Sequence, residues 1–360
     1  MKPTIYATFL ALAIAGGCSN YNAPVVPPPP PPPPPPVAFT LFETLGDSVS
    51  IAAKLTEFRA ALGGGLNAPN SPPADSGRRE INWDGVPAAL TDVDTFPATF
   101  FNVNSKRGAL YSTPGTGLRV DSTDFAAVNA GLAAQFTAFS AKKLFMPVGS
   151  NQVDVTFRLV GTDTPGLVKG FGAVFVDVDR AGSATIEYFD VDSQRIAIVR
   201  APNHAGAQLL SFTGAVFEAP IVARVRITSG DAALTATIND ISAGGTQDLV
   251  VMDDFVFGEP RPLGPDAHVT VGNVFFRSAQ NGSQNPAVDT IAAGARVTWT
   301  WNAAGSHSIQ STGIPPEVFR NSVVMSAAGS TYSVRIFHPG TYAYDCAVHG
   351  AAMTGRIVVK

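Results

Sequence analysis

A chain of 360 residues, 45% apolar and only 14% charged, has the length for two domains and enough apolar side chains for a sizeable core. Its formal net charge of −4, with no basic cluster, argues against a nucleic-acid partner. High glycine (34) and proline (29), beside short runs rich in valine, threonine and phenylalanine, point to all-β structure.

The first residues, MKPTIYATFLALAIAGGCSN, carry one early cation, Lys2, an apolar run from Ile5 to Ala15, and small residues before Cys18. That run is too short to span a bilayer and reads as the apolar part of a secretory signal. Small residues directly before a cysteine resemble the bacterial lipoprotein processing box, although Ala15 stands where leucine is commonest. The resemblance implies that residues 1–17 are a signal peptide and that Cys18 is lipidated, anchoring the chain to a membrane. Ser19 is similar to the pattern that sorts such proteins to the outer membrane. The expected location is the bacterial cell envelope, as an outer-membrane lipoprotein facing either the periplasm or the exterior. With Cys18 committed to lipid, Cys346 has no partner in the chain and is either buried and inert or a metal ligand. Ten consecutive prolines, Pro27–Pro36, follow. They predict a stiff polyproline II spacer of roughly 30 Å, so residues 18–37 read as a tether.

Residues 38–260 form the larger predicted domain. Its start, LFETLGDSVSIAAKLTEFRAALGG, predicts a helix stopped by Gly63–Gly65. Beyond it QVDVTFRLVG, GFGAVFVDVDR, ATIEYFDV, RIAIVRA, IVARVRITSG, ALTATINDI and DLVVMDDFVFG alternate with turn signals and predict a jelly-roll-like β-sandwich. Two features here invite a ligand. RREINWDG, residues 78–85, gathers Arg78, Arg79, Glu80, Asn82, Trp83 and Asp84. Trp83 either stacks on a sugar of a glycan partner or packs beside a turn closed by Asp84-Gly85. FVDVDR places Asp177 and Asp179 on one strand face, and Asp190, Asp192, Asp253 and Asp254 stand in similar runs. Such oxygen donors either bind calcium or face solvent. No nucleophile–base pair and no zinc spacing is present, so no hydrolase is expected. GEPRPLGPD, residues 258–266, is the expected boundary.

From His268, the runs HVTVGNVFF, ARVTWTWN, STYSVRIF, GTYAYDC and TGRIVVK predict at least five strands, enough for one small β-sandwich. Four side chains in it suit a single metal: His307, Cys346, His349 and Met353. Cys346 ends the strand YAYDC, AVHGAAM reads as a short loop carrying His349 and Met353, and His307 sits in a separate loop after RVTWTW. One thiolate, two imidazoles and a weak thioether make the blue-copper set, in which sulfur favours Cu(I) and imidazole suits Cu(II). Binding would also withdraw the lone thiol from oxidation.

VTWTWNAAGSHSI, followed by G-T-Y-x-Y-x-C-x-x-H-G-x-x-M-x-G-x-I-x-V, resembles the cupredoxins, the plastocyanin and amicyanin group, over residues 268–360. The resemblance implies a Greek-key cupredoxin β-sandwich over residues 266–360 holding one type 1 copper. It implies His307, Cys346 and His349 as equatorial ligands and Met353 as the axial one. The spacing from His349 to Met353 falls between amicyanin-like and plastocyanin-like loops, which leaves the reduction potential open. The chain has five histidines, and His204, His268 and His338 stand alone, too few for a trinuclear centre or a second catalytic copper. A type 1 site has no open position for substrate. The expectation is therefore no enzyme but an envelope-anchored electron-transfer protein, with a redox partner docking at the small apolar residues around His349. Copper delivery or storage, or a surface carbohydrate-binding module, are the alternatives.

Overall fold

The computed structural model describes residues 37–206, 208–314 and 318–360. The signal segment, Cys18 and the polyproline run lie outside these residues. The larger part stacks two sheets. One has seven strands, in the order Phe39–Gly46, Leu210–Phe217, Gly170–Val176, Val251–Gly258, Leu144–Val148 and Gly117–Asp121, with Arg78–Ile81 also paired to Val251–Gly258. The other has five, in the order Ala109–Ser112, Gln152–Phe157, Arg224–Thr228, Thr185–Phe189 and Arg195–Arg200.

The sequence patterns of these strands follow from what covers them. Gly170–Val176, Leu210–Phe217 and Val251–Gly258 are buried along their whole length, because the second sheet covers one face and other chain covers the other. Gln152–Phe157 and Arg224–Thr228 alternate between buried and half-buried, because only one face is covered. Tyr188 bolts the sheets together: its hydroxyl donates to the Phe171 carbonyl at 2.7 Å and accepts from the Ala215 amide at 2.9 Å.

The outer cover is helix Ser48–Leu62, which buries Ile51, Leu55, Phe58 and Leu62, the three-and-four spacing of one helix face. Phe58 meets Phe212 of the sheet edge-on, with ring centroids 5.2 Å apart. Asp47 caps the helix by accepting from the Ser50 amide, and Gly63 ends it at φ 88°, as the glycine run predicted. The helix is shorter than the sequence suggested. Phe39–Gly46 is a strand whose eight residues pair antiparallel with Leu210–Phe217. The open edge of the seven-stranded sheet outcompetes helix propensity there, and Asp47 marks the switch.

The aromatic of RREINWDG is core, not a sugar platform. Trp83 is 1% exposed, stacks on Phe145 with centroids 4.1 Å apart and planes 3° from parallel, and donates its indole N–H to the Asp253 carbonyl at 3.0 Å. Its backbone takes φ 65°, which closes a tight turn in which the Asp84 amide donates to the Asn82 carbonyl at 2.8 Å. Asp84 is half-buried beside it and accepts from the Lys142 amide. Arg79, of the same run, is fully buried and doubly bonded to Glu259 at 2.5 and 2.9 Å.

Two four-stranded sheets make the smaller sandwich. One runs Phe275–Ser278, Ala267–Gly272, Arg296–Trp301, Thr331–Arg335, and the other Ala287–Ile291, Gly350–Val359, Gly340–Cys346, Gln310–Ser311. Trp299, Phe276 and Tyr344 meet between them, with centroids 5.2 Å (Trp299–Tyr344) and 5.0 Å (Phe276–Tyr344) apart. Gly355 is required here: a Cβ would lie 2.2 Å from the Tyr344 ring. Residues 259–266 connect the two sandwiches. Asp192, in a turn of the larger part, pairs with Arg296 at 2.9 Å and with Arg335 of the smaller one. A single apolar cluster runs through both parts.

Candidate metal centre

Period-two alternation delivers the cysteine. In Gly340–Cys346 the buried residues are Tyr342, Tyr344 and Cys346, so the two tyrosines of GTYAYDC set the face on which the thiol arrives. Cys346 is fully buried at the strand end. A three-residue turn follows, closed by the His349 amide on the Cys346 carbonyl at 3.0 Å, and it brings His349 back over the thiol.

The returning strand, Gly350–Val359, buries Met353, Gly355, Ile357 and Val359 on the same inner face. Met353 therefore lies in a strand rather than the loop expected from AVHGAAM. Pairing with Gly340–Cys346 is regular up to Asp345 opposite Thr354, then slips so that Cys346 faces Gly350. The slip leaves Ala351, Ala352 and Met353 without partners in the ladder, with Met353 fully buried.

His307 comes from the other sheet's side. It follows Arg296–Trp301 by a short loop and is held by a two-way backbone bridge to Met325, at 3.0 and 2.9 Å. Its Nδ1 lies 3.9 Å from Cys346 Sγ, and His349 Nδ1 lies 3.4 Å from the same sulfur. The two imidazoles are 4.8 Å apart between centroids. These separations suit ligand atoms each about 2 Å from one shared ion at wide angles. His307 is 2% exposed, and burial first, then the neighbouring His349, hold it below the ordinary imidazole pKa. It is thus the neutral ring a metal needs near neutral pH.

Two residues that the sequence reading did not single out shape the site. The Ser308 amide points at Cys346 Sγ at 3.5 Å, as a thiolate acceptor would require, and its hydroxyl accepts from the Ala347 amide at 3.0 Å, clipping the two loops together. Gly305 leaves room for the ring: a Cβ there would sit 2.9 Å from His307 Nε2. Gly305→Ala should therefore swing the imidazole off its line to the sulfur. We expect copper affinity, measured by chelator competition, to fall about 10–100-fold, with the melting temperature of the metal-free chain unchanged. The only signal for either residue in the sequence was its place beside His307.

The donor set fits copper: one buried sulfur accepting an N–H, two imidazole Nδ1 atoms converging on it, and a buried thioether on the same face. Other sequence candidates fall elsewhere. His338 pairs with Glu218 at 3.5 Å. Asp192 is bound to arginines, and Asp190 accepts from the Asp192 and Gln194 amides at 2.9 and 2.8 Å, closing a turn. Asp253 and Asp254 sit where the register of their strand shifts, with Asp253 accepting from the Phe139 and Ser140 amides. Burial holds both above the usual carboxylate range. Asp177 and Asp179 stay together and are joined by Asp240, far from Trp83 and Asp84 in the chain.

A family model described as copper binding proteins of the plastocyanin/azurin family matches residues 283–360. The chain is 37% identical over 82 residues to a plastocyanin of Scenedesmus fuscus, covering 21% of this chain and 84% of that protein. It is 34% identical over 82 residues to a chloroplastic plastocyanin of Tetradesmus obliquus, covering 21% of this chain. It spans about half the length of such chloroplastic relatives, 57% of that one and 47% of one from Solanum lycopersicum. A solved purple cupredoxin from Nitrosopumilus maritimus is matched over its full length (100%) and 26% of this chain, at 25% identity and a TM-score of 0.21.

Proposed function

The chain belongs, through residues 283–360, to the plastocyanin/azurin family of copper-binding proteins, and we propose that it is an envelope-anchored electron carrier. His307, Cys346 and His349 would hold one type 1 copper, with Met353 as the weak fourth donor. When bound, copper supplies a one-electron couple.

The convergence of two Nδ1 atoms on one buried sulfur carries this reading. The protein's own groups do the rest. Both sheets fix the donors before any metal arrives, so little rearrangement accompanies a change of charge. The Ser308 amide points at the sulfur, and burial of Cys346 and His307 keeps water from it. His349 is the half-exposed ligand, flanked by Val348 at 49% exposure and by exposed Ala351 and Ala352. That small apolar lip suits the docking of a redox partner, with electrons leaving along the His349 ring. Lipidation of Cys18 would hold the carrier at the outer membrane.

Copper delivery is the second reading, and burial of the thiol and of His307 disfavours it, since release needs accessible donors. The test is copper titration of the metal-free chain. An intense visible band, bleached by ascorbate and restored by a mild oxidant, is the expected result. Prompt transfer of the copper to a metal-free acceptor, without reversible bleaching, would instead favour delivery.

A further inference from the structure

Three carboxylates of the larger sandwich meet in its interior. Asp177 directly follows strand Gly170–Val176 at φ 69°, Asp179 lies two residues on, and Asp240 opens the short turn Ile241–Ala243. Asp177 and Asp240 are fully buried and Asp179 is 9% exposed, and one carboxylate oxygen from each lies within 4.8 Å of the other two. A fourth buried carboxylate, Asp248, is close enough to accept from the amides of Asp179 and Arg180 at 3.3 and 3.0 Å.

The hydrogen bonds do not satisfy the group. Asp240 accepts from the Leu249 amide at 2.6 Å and from the Ser242 amide and hydroxyl, both at 2.8 Å. Asp179 Oδ1 accepts from the Gly206 amide at 2.8 Å. The Gln135 amide nitrogen faces Asp177 Oδ2, Asp240 Oδ2 and the Ser242 hydroxyl at once, three oxygens for two hydrogens. Asp177 Oδ1 and Asp179 Oδ2 are buried and accept from no N–H or O–H donor among the described residues.

An orphaned oxygen on a buried carboxylate costs about 1–3 kcal/mol, and more when charged. The charges that act on Asp177 are themselves carboxylates, Asp240 and Asp179, and burial above all pushes its pKa up to about 7. The adjacent cation does not relieve them: the Arg180 guanidinium is directed to Asp231 and the Thr246 carbonyl. A bound cation answers both the excess charge and the orphaned oxygens. The donors are all oxygen, without sulfur or imidazole, which selects a hard ion. A cluster offering three carboxylates with an amide and a hydroxyl suits the larger, many-liganded calcium better than magnesium, which keeps much of its water.

We propose that Asp177, Asp179 and Asp240 form a calcium site that ties the end of strand Gly170–Val176 to the Ile241–Ala243 turn. Asp177 Oδ1 and Asp179 Oδ2 are direct ligands, and Gln135, with its amide turned, adds a neutral oxygen. The site braces the larger sandwich and is built from residues separate from the copper ligands.

The test is calorimetric titration of the chelator-treated chain with calcium chloride, alongside thermal melts. Asp179→Asn is the informative variant, because its remaining oxygen can still accept from the Gly206 amide. We expect the wild type to bind one ion and to melt higher with calcium. In Asp179→Asn, calcium affinity should fall about tenfold or more, equivalent to about 1.4 kcal/mol. Its calcium-free form should melt no lower than calcium-free wild type, since a repelling charge has gone. No binding heat and no melting shift in the wild type at millimolar calcium would overturn the proposal. So would undiminished affinity in Asp179→Asn, or an equal response to magnesium.

Discussion

Cys346→Ser is expected to abolish the visible band of the copper-loaded chain. The sulfur is the one soft, anionic donor facing both His307 and His349, and it is fully buried between them. A serine hydroxyl keeps the shape but stays protonated and hard, so it provides neither the intense thiolate absorption nor affinity for Cu(I). Copper affinity should fall by more than the 10–100-fold that outer partners typically contribute. The metal-free variant should melt close to the wild type, because the hydroxyl can take over the Ser308 N–H that now points at sulfur. Visible titration beside a melt of the metal-free protein separates the two effects. A band that survives the substitution would remove Cys346 from the ligand set.

Glu259→Ala is expected to destabilise the chain by about 3–5 kcal/mol, the cost of leaving a buried charge without its partner. Arg79 and Glu259 are both buried and joined by two charge-assisted bonds. The carboxylate also accepts from the Asn67 side-chain amide at 2.8 Å and the Ala74 amide at 3.1 Å. Removing it takes an acceptor from the half-buried Asn67 and Ala74 and leaves the fully buried Arg79 guanidinium without its counter-charge. Among the described residues, Arg79 keeps the Ala68 and Pro72 carbonyls and the Ser71 hydroxyl. Urea unfolding should show a lower midpoint. Replacing Arg79 and Glu259 together with apolar residues of similar volume should recover much of the loss, because no unpaired charge then remains. A midpoint unchanged in Glu259→Ala would mean that Arg79 finds solvent in the folded state.

The two sites differ in how far they could be read without coordinates. The copper centre was legible because its information is local. Alternation at Tyr342, Tyr344 and Cys346 sets the inward face, and His349 and Met353 follow within seven residues of the thiol, although only the structure put Met353 in the return strand. Only His307 is distant, and its position after RVTWTW singled it out. The cluster of Asp177, Asp179 and Asp240 could be read only by half. Its first two members are neighbours, but the third is delivered by a turn whose place depends on how the seven-stranded sheet is assembled.

The same division runs through the fold. Residue pattern by itself determined that the chain is all-β and where the helix stops at Gly63. It also marked a thiol and two imidazoles near the C-terminus as a metal set. Tertiary structure alone decided that Phe39–Gly46 joins a sheet edge instead of extending the helix. It decided that Trp83 packs on Phe145 rather than facing a sugar, and that Arg79 meets Glu259 in the interior. The physical reason is the range of the forces. Side-chain alternation and capping act over a few residues and are written in the local sequence. Strand pairing and charge burial depend on which distant segment arrives, and that is set by the assembled sheets.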